Sequence, residues 1–128
     1  IEKEGAVVEV IAPKVGGVEA ADGSWIEAKH MIDGGPSVLF DAVALILSEA
    51  GAERLTGEAA ARDFVADAFA HCKFIAFTPG AVPLLQRAGV DPEADEGLVA
   101  LENPKAVAGF IESCRKLRLW SREMTVKL

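Results

Sequence analysis

The sequence predicts an α/β fold in which a mainly parallel sheet carries helices on both faces. Short, nearly continuous apolar segments alternate with longer segments whose apolar residues recur at helical spacing. Continuous apolar strands are typical of parallel sheets that are covered on both sides. An Asp-Gly pair near the N-terminus adds a small β-hairpin. The length of 128 residues suits a single domain.

Composition narrows the classes of function. Thirteen Lys and Arg against twenty Asp and Glu give a net charge of −7, and an acidic chain without a basic block does not suit nucleic acid or an anionic membrane. No apolar run approaches the roughly 18 residues of a membrane span. Two cysteines make no disulfide framework, which favours a reducing, cytoplasmic location. With no tyrosine and only two histidines, few of the usual catalytic groups are present.

The first third of the chain is expected to be mostly β-structure. Residues 1–5 resemble the last turn of a helix ending on a glycine, so we expect the βα unit before it to be missing. The β-branched run over 7–11 predicts a short buried strand. A hairpin is predicted over 18–26, around Asp22-Gly23, and a turn over 32–37.

The rest of the chain alternates strands and helices. Apolar segments at 40–47, 74–77 and 98–101 predict parallel strands. Thr56 is expected to cap a helix that runs to about His71. The apolar stripe of this helix comprises Ala61, Phe64, Val65, Ala68 and Cys72, with Lys73 beyond its last turn.

Two further helices follow. Pro79 suits the first turn of one that ends at Gly89, and Asn103-Pro104 forms the start of the other. The acidic segment 91–96 between them is interpreted as a solvated loop, because Gly97 and the apolar run after it break a calcium-loop pattern. The last helix is expected to place Val107, Phe110, Ile111, Cys114 and Leu117 on one face.

The turn after the second strand of this alternation is where an α/β fold would present a nucleophile. Thr78 occupies that position and Pro79 follows it. Threonine needs an adjacent base to act as a nucleophile, and the neighbouring sequence supplies none. The favoured interpretation is a hydroxyl that caps the next helix.

The cysteines and histidines are interpreted structurally. Cys72 and Cys114 lie in apolar helical stripes, which favours buried thiols. His71 is expected to meet the C-terminal dipole of its helix, and His30 to be solvated in a polar turn. Their spacing matches no zinc signature, so no metal site is predicted.

Two other features leave alternatives open. Gly16-Gly17 is either a turn or part of a small-ligand site. The segment around Trp120 is basic, which suits either the cations expected at a helix end or a docking surface for another chain or domain. Its cations are Arg115, Lys116, Arg118, Arg122 and Lys127.

Four segments, in this order, resemble the C-terminal domain of large-subunit catalases. They are residues 33–37, 40–43, 70–76 and 119–123. The resemblance runs from about residue 6 to residue 123 and implies a flavodoxin-like three-layer sandwich, similar to class I glutamine amidotransferase-like domains. It implies a single domain over residues 1–128, N-terminally truncated, of a larger catalase.

The resemblance also bears on chemistry. Active amidotransferase-like proteins place a cysteine where this chain has Thr78, and some have a histidine where it has Pro79. Their acidic partner comes from the first βα unit. The resemblance therefore implies no catalytic, cofactor-binding or metal-binding residue in this segment. Haem with its tyrosinate ligand, and the dismutation of hydrogen peroxide, are assigned to the parent polypeptide.

The partners implied are the haem domain of the same polypeptide and neighbouring subunits of a homotetramer. In this hypothesis the domain contributes to stability and assembly, with the Trp120 region as a contact. One alternative is a freestanding amidotransferase-like hydrolase that uses Thr78 or Cys72. A second is a binder of a small ligand or nucleotide near Gly16 and Thr78.

Overall fold

The computed structural model describes residues 1–126, which fall into two units, Ile1–Pro36 and the part that begins at Ser37. In the first unit, strand β1 (Ile11–Ala12) pairs in parallel with β4 (His30–Met31). Strand β2 (Gly17–Glu19) pairs antiparallel with β3 (Trp25–Glu27). Short 3₁₀ helices at Glu2–Glu4 and Ile32–Gly34 complete this unit.

The expected hairpin is confirmed, with a three-residue loop at its tip. Ala20 N donates to Ser24 O at 2.7 Å, which closes the ladder, and Gly23 N donates back to Ala20 O at 2.9 Å. Gly23 has φ 86, the left-handed conformation that a type I turn followed by a bulge requires and that glycine adopts without strain. The side chain of Asp22 accepts from Ser24 N at 2.9 Å.

The buried strand expected over residues 7–11 is wrong in extent and in burial. Only Ile11 of this run lies in β1, while Val7 is 88% exposed and Val8 is also exposed. The partner strand β4 is two residues long, so the paired ladder starts at Ile11 and the preceding valines lie outside it. The terminal helical turn is confirmed as a 3₁₀ turn, with Gly5 at φ 83.

The second unit is built on a parallel sheet of three strands in the order β5-β6-β7. These strands are β5 (Val43–Leu45), β6 (Ile75–Phe77) and β7 (Leu98–Ala100). The helices are α1 (Glu49–Thr56), α2 (Ala59–Ala70), α3 (Val82–Arg87) and α4 (Pro104–Cys114), with 3₁₀ helices at Ser37–Leu39, Pro79–Ala81 and Trp120–Thr125.

Helices cover both faces of this sheet. Side chains alternate between the faces of a strand, and Phe74 and Ala76 pack with Phe110 of α4 and with Leu119. Ile75 and Phe77 therefore face the other side, where they are buried. Helices α1, α2 and α3 contact one another, and we assign them to that side. The α/β flavodoxin-like fold class is confirmed.

Strand β5 is shorter and more exposed than expected. It starts at Val43 rather than Phe40, and Ala44 and Ile46 are exposed, Ile46 at 65%. The sequence pattern predicted a strand covered on both faces. Strand β5 is an edge strand of this sheet, and next to it Ala42 packs against the Phe110 cluster while Ala44 and Ile46 stay exposed.

The helix expected from Thr56 to about His71 is confirmed as α2, with Ala61, Phe64, Val65 and Ala68 buried as expected, but its expected N-cap is wrong. Ser48 caps α1 by accepting from Gly51 N at 3.0 Å, and Thr56 ends that helix instead of starting one. The Thr56 hydroxyl donates to Glu53 O at 2.5 Å, a bond to the preceding turn that a threonine makes inside a helix but not as its N-cap. Helix α2 follows from Ala59.

The other helix boundaries are confirmed, with one exception. Gly89 has φ 82 beyond α3, and Asn103 caps α4 by accepting from Ala106 N at 2.9 Å. The apolar face predicted for α4 extends too far, because the helix ends at Cys114. Leu117 lies beyond it at φ 65 and is 57% exposed.

Arg122 is buried, although the sequence placed it in a basic surface cluster. Its Nε donates to Asp95 Oδ2 at 2.7 Å and its Nη2 to Asp95 Oδ1 at 2.8 Å. Nη1 donates to the carbonyls of Lys73 at 2.8 Å and Phe69 at 3.2 Å, and the guanidinium lies 4.3 Å from the Phe69 ring centroid. One side chain therefore joins α2, the segment between α2 and β6, the 91–96 loop and the C-terminal segment.

Asp95 is consequently not a freely solvated loop residue, as the sequence suggested. Burial raises the pKa of its carboxyl, but the hydrogen bonds and charge of Arg122, with the Gly97 amide, outweigh burial and hold that pKa below its ordinary 3.8. A depressed pKa in the folded state stabilises the fold above the ordinary pKa, and the contribution is lost as the pH falls through the folded-state pKa.

Replacing Asp95 by Asn is expected to lower the free energy of unfolding by about 3 kcal/mol at pH 7, because it leaves a buried guanidinium without its counterion. The difference from the wild type should narrow as the pH falls below 3.8. Urea unfolding at several pH values measures both effects. Asp41→Asn is the control, since Asp41 pairs with Arg118 but is 81% exposed, and its effect should stay below about 1 kcal/mol. A pH-independent difference for Asp95→Asn would contradict this account.

Candidate functional site

Thr78 lies at the carboxyl edge of the sheet, the place where open α/β sheets bind ligands. It follows the last residue of β6, and its N–H donates to Leu45 O of β5 at 3.0 Å. The 3₁₀ helix Pro79–Ala81 and α3 begin directly after it. The strand-to-helix corner predicted from the sequence is therefore present at Thr78.

The Thr78 hydroxyl does not cap the following helix, which corrects the sequence interpretation. Its Oγ1 donates to Leu47 O at 2.7 Å and accepts from Leu47 N at 3.0 Å. Both partners are main-chain groups of the loop between β5 and α1. The hydroxyl therefore joins two neighbouring strand ends. Within residues 1–126 no carboxylate or imidazole forms a hydrogen bond to it, so no base is in place to activate it.

The loop between β5 and α1 is packed tightly over this corner at Gly80. A Cβ at Gly80 would lie 2.7 Å from Leu47 O and 2.7 Å from Glu49 N, closer than real side-chain carbons approach the backbone. Only glycine allows the main chains to meet at this distance. Main chain of the loop between β5 and α1 thus lies directly against this corner.

The two residues before Lys73 have largely the environments that the sequence predicted. The His71 ring Nδ1 is 2.7 Å from Asp67 O at the C-terminal end of α2. Cys72 is buried, at 3% exposure, but it lies beyond the helix, and its φ of 62 is unusual for a residue other than glycine. Because Cys72 lies after the C-cap of α2, it is not part of the apolar stripe of that helix, but its side chain is still buried.

Cys114 is half-buried at the end of α4, and burial raises the pKa of its thiol. A raised pKa keeps the thiol protonated and poorly nucleophilic. Both cysteines of the chain are free. Over residues 1–126, no group of three or more His, Cys, Asp or Glu side chains is placed to hold a metal ion.

His30 is not in a solvated turn, as the sequence suggested, but in strand β4. Its Nε2 lies 2.7 Å from Glu9 Oε2, and Lys29 Nζ donates to Glu9 Oε1 at 3.0 Å. These bonds, with Lys29 contributing most and His30 next, lower the pKa of the Glu9 carboxyl. Glu9 lies two residues before β1, whose Ile11 pairs with His30 in a register that the sequence did not reveal.

Gly16 lies in the turn before the hairpin, and Gly17 is the first residue of β2. Their φ values are 92 and 141, and a Cβ at Gly17 would collide with the Ile26 carbonyl. Close approach of the hairpin backbones explains Gly17, whereas a Cβ at Gly16 would meet open space and that glycine is explained by its positive φ.

The basic segment near the C-terminus divides into residues with different environments. Arg122 is buried in the Asp95 ion pair, whereas Trp120 is 66% exposed. Lys127 lies outside the described residues. The docking-surface interpretation therefore rests on the surroundings of Trp120.

Lys73 is a buried residue that sequence reasoning missed. It was placed beyond a helix end, but it is only 2% exposed, and its Nζ donates to Ser37 O at 2.5 Å. The hydroxyl of Ser37 is buried as well and has no hydrogen-bond partner in the part of the chain that the structure describes. The sequence did contain one indication that Lys73 is buried, because this residue interrupts the apolar run that leads into β6.

None of the helices described is long and apolar enough to cross a membrane. The fold and its corner define an α/β flavodoxin-like domain whose strand-to-helix turn carries a threonine bonded to main chain. The family model for the C-terminal domain found in long catalases matches residues 1–124 of this chain. The chain therefore belongs to this family.

Individual relatives agree with the family match. The chain is 54% identical over its full length to Catalase C of Rhizobium meliloti, and it spans 18% of that protein. It is 32% identical over 98% of its length to Catalase-B of Dictyostelium discoideum, again 18% of the relative. With Catalase HPII of Pseudomonas putida the identity is 25% over 96% of the chain and 17% of the relative. The chain thus spans about a fifth of the length of these curated relatives.

The close approach at Gly80 predicts opposite effects for two Gly→Ala substitutions. Gly80→Ala should lower the free energy of unfolding by about 1–3 kcal/mol, because its Cβ would force main chain apart. Gly109→Ala is the matched control: it lies inside α4 with open space around its Cβ, and should stabilise by about 0.5–1 kcal/mol. Denaturant unfolding measures both. Equal effects in the two variants would show that Gly80 is not a packing constraint.

Removing the Thr78 hydroxyl should cost stability. Thr78→Val keeps the shape of the side chain but leaves the Leu47 N–H and carbonyl without their partner, a loss of about 1–3 kcal/mol. Thr78→Ser retains the hydroxyl and should retain most of this stability. Thermal unfolding of the two variants tests the assignment, and it fails if the Val variant is as stable as the wild type.

Proposed function

We propose that this chain is a non-catalytic C-terminal domain of a haem catalase whose parent polypeptide dismutates hydrogen peroxide. The match to the C-terminal domain of long catalases over residues 1–124 is the observation that carries the proposal. The hydrogen bonds of Thr78 to main chain support the non-catalytic assignment. A hydroxyl bonded to the backbone and lacking a base is poorly suited to acyl transfer.

The haem is assigned to the rest of the parent protein. Residues 1–128 contain no tyrosine, so this segment does not supply the tyrosinate ligand that the resemblance implies for a catalase haem. The two cysteines also offer little to a cofactor, since Cys72 is buried and Cys114 is a half-buried thiol with a raised pKa. No step of the peroxide reaction is therefore assigned to residues of this chain.

The contribution of the domain is to stability and tetramer assembly. Several large apolar side chains are exposed and would be removed from water by contact with the haem domain of the same polypeptide or with neighbouring subunits. They include Val7, Ile46, Trp120 and Met124. Burying apolar surface is favourable by about 25 cal/mol for each Å², which supports a role in contact. The assembly is expected to be cytoplasmic, without nucleic acid or membrane partners.

Deleting the segment equivalent to residues 1–128 from the full-length catalase tests this function. The deletion should lower the melting temperature by several degrees and reduce the tetramer fraction at low protein concentration, because a docked domain stabilises the assembly. Turnover per haem should stay the same. Differential scanning calorimetry, sedimentation and peroxide consumption measure these three quantities.

Unchanged melting and assembly after the deletion would refute the structural role. Thr78→Ala and Cys72→Ala in the full-length protein address catalysis separately, with peptide, amide and glyoxal substrates. An activity that either substitution abolishes would refute the non-catalytic assignment and support the amidotransferase-like alternative.

A further inference from the structure

A shallow groove of about 260 Å³ lies beside the last 3₁₀ helix, Trp120–Thr125. We call it the Trp120 groove. Its lining includes Val38, His71, Lys73, Arg118, Trp120 and Glu123. Lys73 and Arg118 are cations, and Glu123 is an acid. With His71 neutral, the side chains of the groove therefore carry a net positive charge, whereas the net charge of the whole chain is −7.

The first cation, Lys73, is buried without a counterion. It is 2% exposed, its ammonium donates to Ser37 O at 2.5 Å, and it forms no salt bridge within residues 1–126. An ammonium has three donors, and a buried charge is costly unless it is paired. Burial lowers the pKa of Lys73, and the nearby charge of Arg118 lowers it further, against the opposing charges of Asp41 and Asp67. These conditions favour an added anion.

The second cation, Arg118, is only partly engaged. Its Nη1 donates to Asp41 O at 3.0 Å and to Leu117 O at 2.9 Å. The Asp41 carboxylate lies 3.5 Å away and is 81% exposed, and an exposed pair of this kind contributes little. A guanidinium has five N–H donors in a planar fork that matches a carboxylate, so Arg118 retains capacity for another one.

The rim of the groove is apolar. Trp120 is 66% exposed and Val38 is 62% exposed, and both line the groove. Tryptophan and arginine are the residues most enriched among those that dominate binding at protein interfaces. An apolar rim around paired cations is complementary to an apolar segment that carries one acidic side chain.

We propose that the Trp120 groove docks an apolar segment of the catalytic part of the catalase assembly, whose carboxylate meets Lys73 and Arg118. This inference rests on the proposed function. The chain spans 18% of Catalase C of Rhizobium meliloti, so in an assembly of that kind most of the protein lies outside this domain and can supply the segment. Its apolar side chains would cover Trp120 and Val38.

Hydroxyl-radical footprinting of the full-length assembled protein, read by peptide mass spectrometry, tests the contact. Trp120 is compared with Trp25, an internal control of nearly equal exposure at 61%. Docking should make Trp120 several-fold less reactive than Trp25. Equal reactivity of the two tryptophans in the assembled protein would overturn the proposal.

The role of the cations is tested in the same assay. Lys73→Met removes the charge but keeps the length of the side chain, and Lys116→Met is the control at an exposed position. Lys73→Met should raise the reactivity of Trp120 to that of Trp25, while Lys116→Met should not. Arg118→Gln is a second variant in case Lys73→Met fails to fold, with an intermediate increase expected. If Trp120 stayed fully protected in both Lys73→Met and Arg118→Gln, the proposal that the groove recognises a carboxylate would be overturned.

Carbodiimide coupling identifies the occupant, because it joins an amine directly to a carboxylate. A bond from Lys73 to an Asp or Glu of the catalytic part is expected. Coupling to an acidic residue of another copy of this domain would overturn the choice of occupant. Footprinting and coupling report contact and not stability. If they show no contact at the groove while the deletion of the domain still lowers the melting temperature, the proposed function stands and only the proposal for this groove is overturned.

Discussion

The buried pair of Arg122 and Asp95 is the interaction on which the arrangement of the second unit depends. Helix α2, the segment that leads from it to β6, and the acidic loop are joined through this pair to the C-terminal segment, by bonds of 2.7–3.2 Å. A buried guanidinium is tolerated only when its donors are satisfied. Here two main-chain carbonyls and a carboxylate provide the acceptors, and the Phe69 ring lies below the cation. Because Arg122 is held in this way, Trp120 is placed at the surface two residues earlier.

The carboxyl edge of the sheet has a different constraint. In many α/β proteins it is open and binds ligands, whereas here the loop between β5 and α1 lies against Gly80 and forms two hydrogen bonds with the Thr78 hydroxyl, one accepted from it and one donated to it. The hydrogen bonds that hold the loop also engage the hydroxyl, which makes it poorly suited to act as a nucleophile. These bonds are consistent with the proposed function, in which the reaction takes place elsewhere in the polypeptide and this domain contributes contacts.

Exposed apolar side chains occur where the sheet and the C-terminal helix lack cover. Ile46 directly follows the edge strand β5, and Trp120 lines a positive groove. Edge strands and apolar patches are usual places for association. The two sites differ in charge, because the groove is lined by Lys73, whose buried ammonium forms no salt bridge within residues 1–126.

The sequence alone determined the α/β class, the Asp22-Gly23 hairpin, the Asn103 cap and the position of Thr78, because each depends on local periodicity or turn chemistry. It missed helix α1, although Ser48 before a run of helix formers was a usable cap signal. Only the tertiary structure decided which charges are inside. Burial of Arg122 and Lys73 depends on acceptors 27 and 36 residues away in the chain, at Asp95 and Ser37. No local pattern encodes such distant partners, since charged residues are normally solvated unless the fold supplies them.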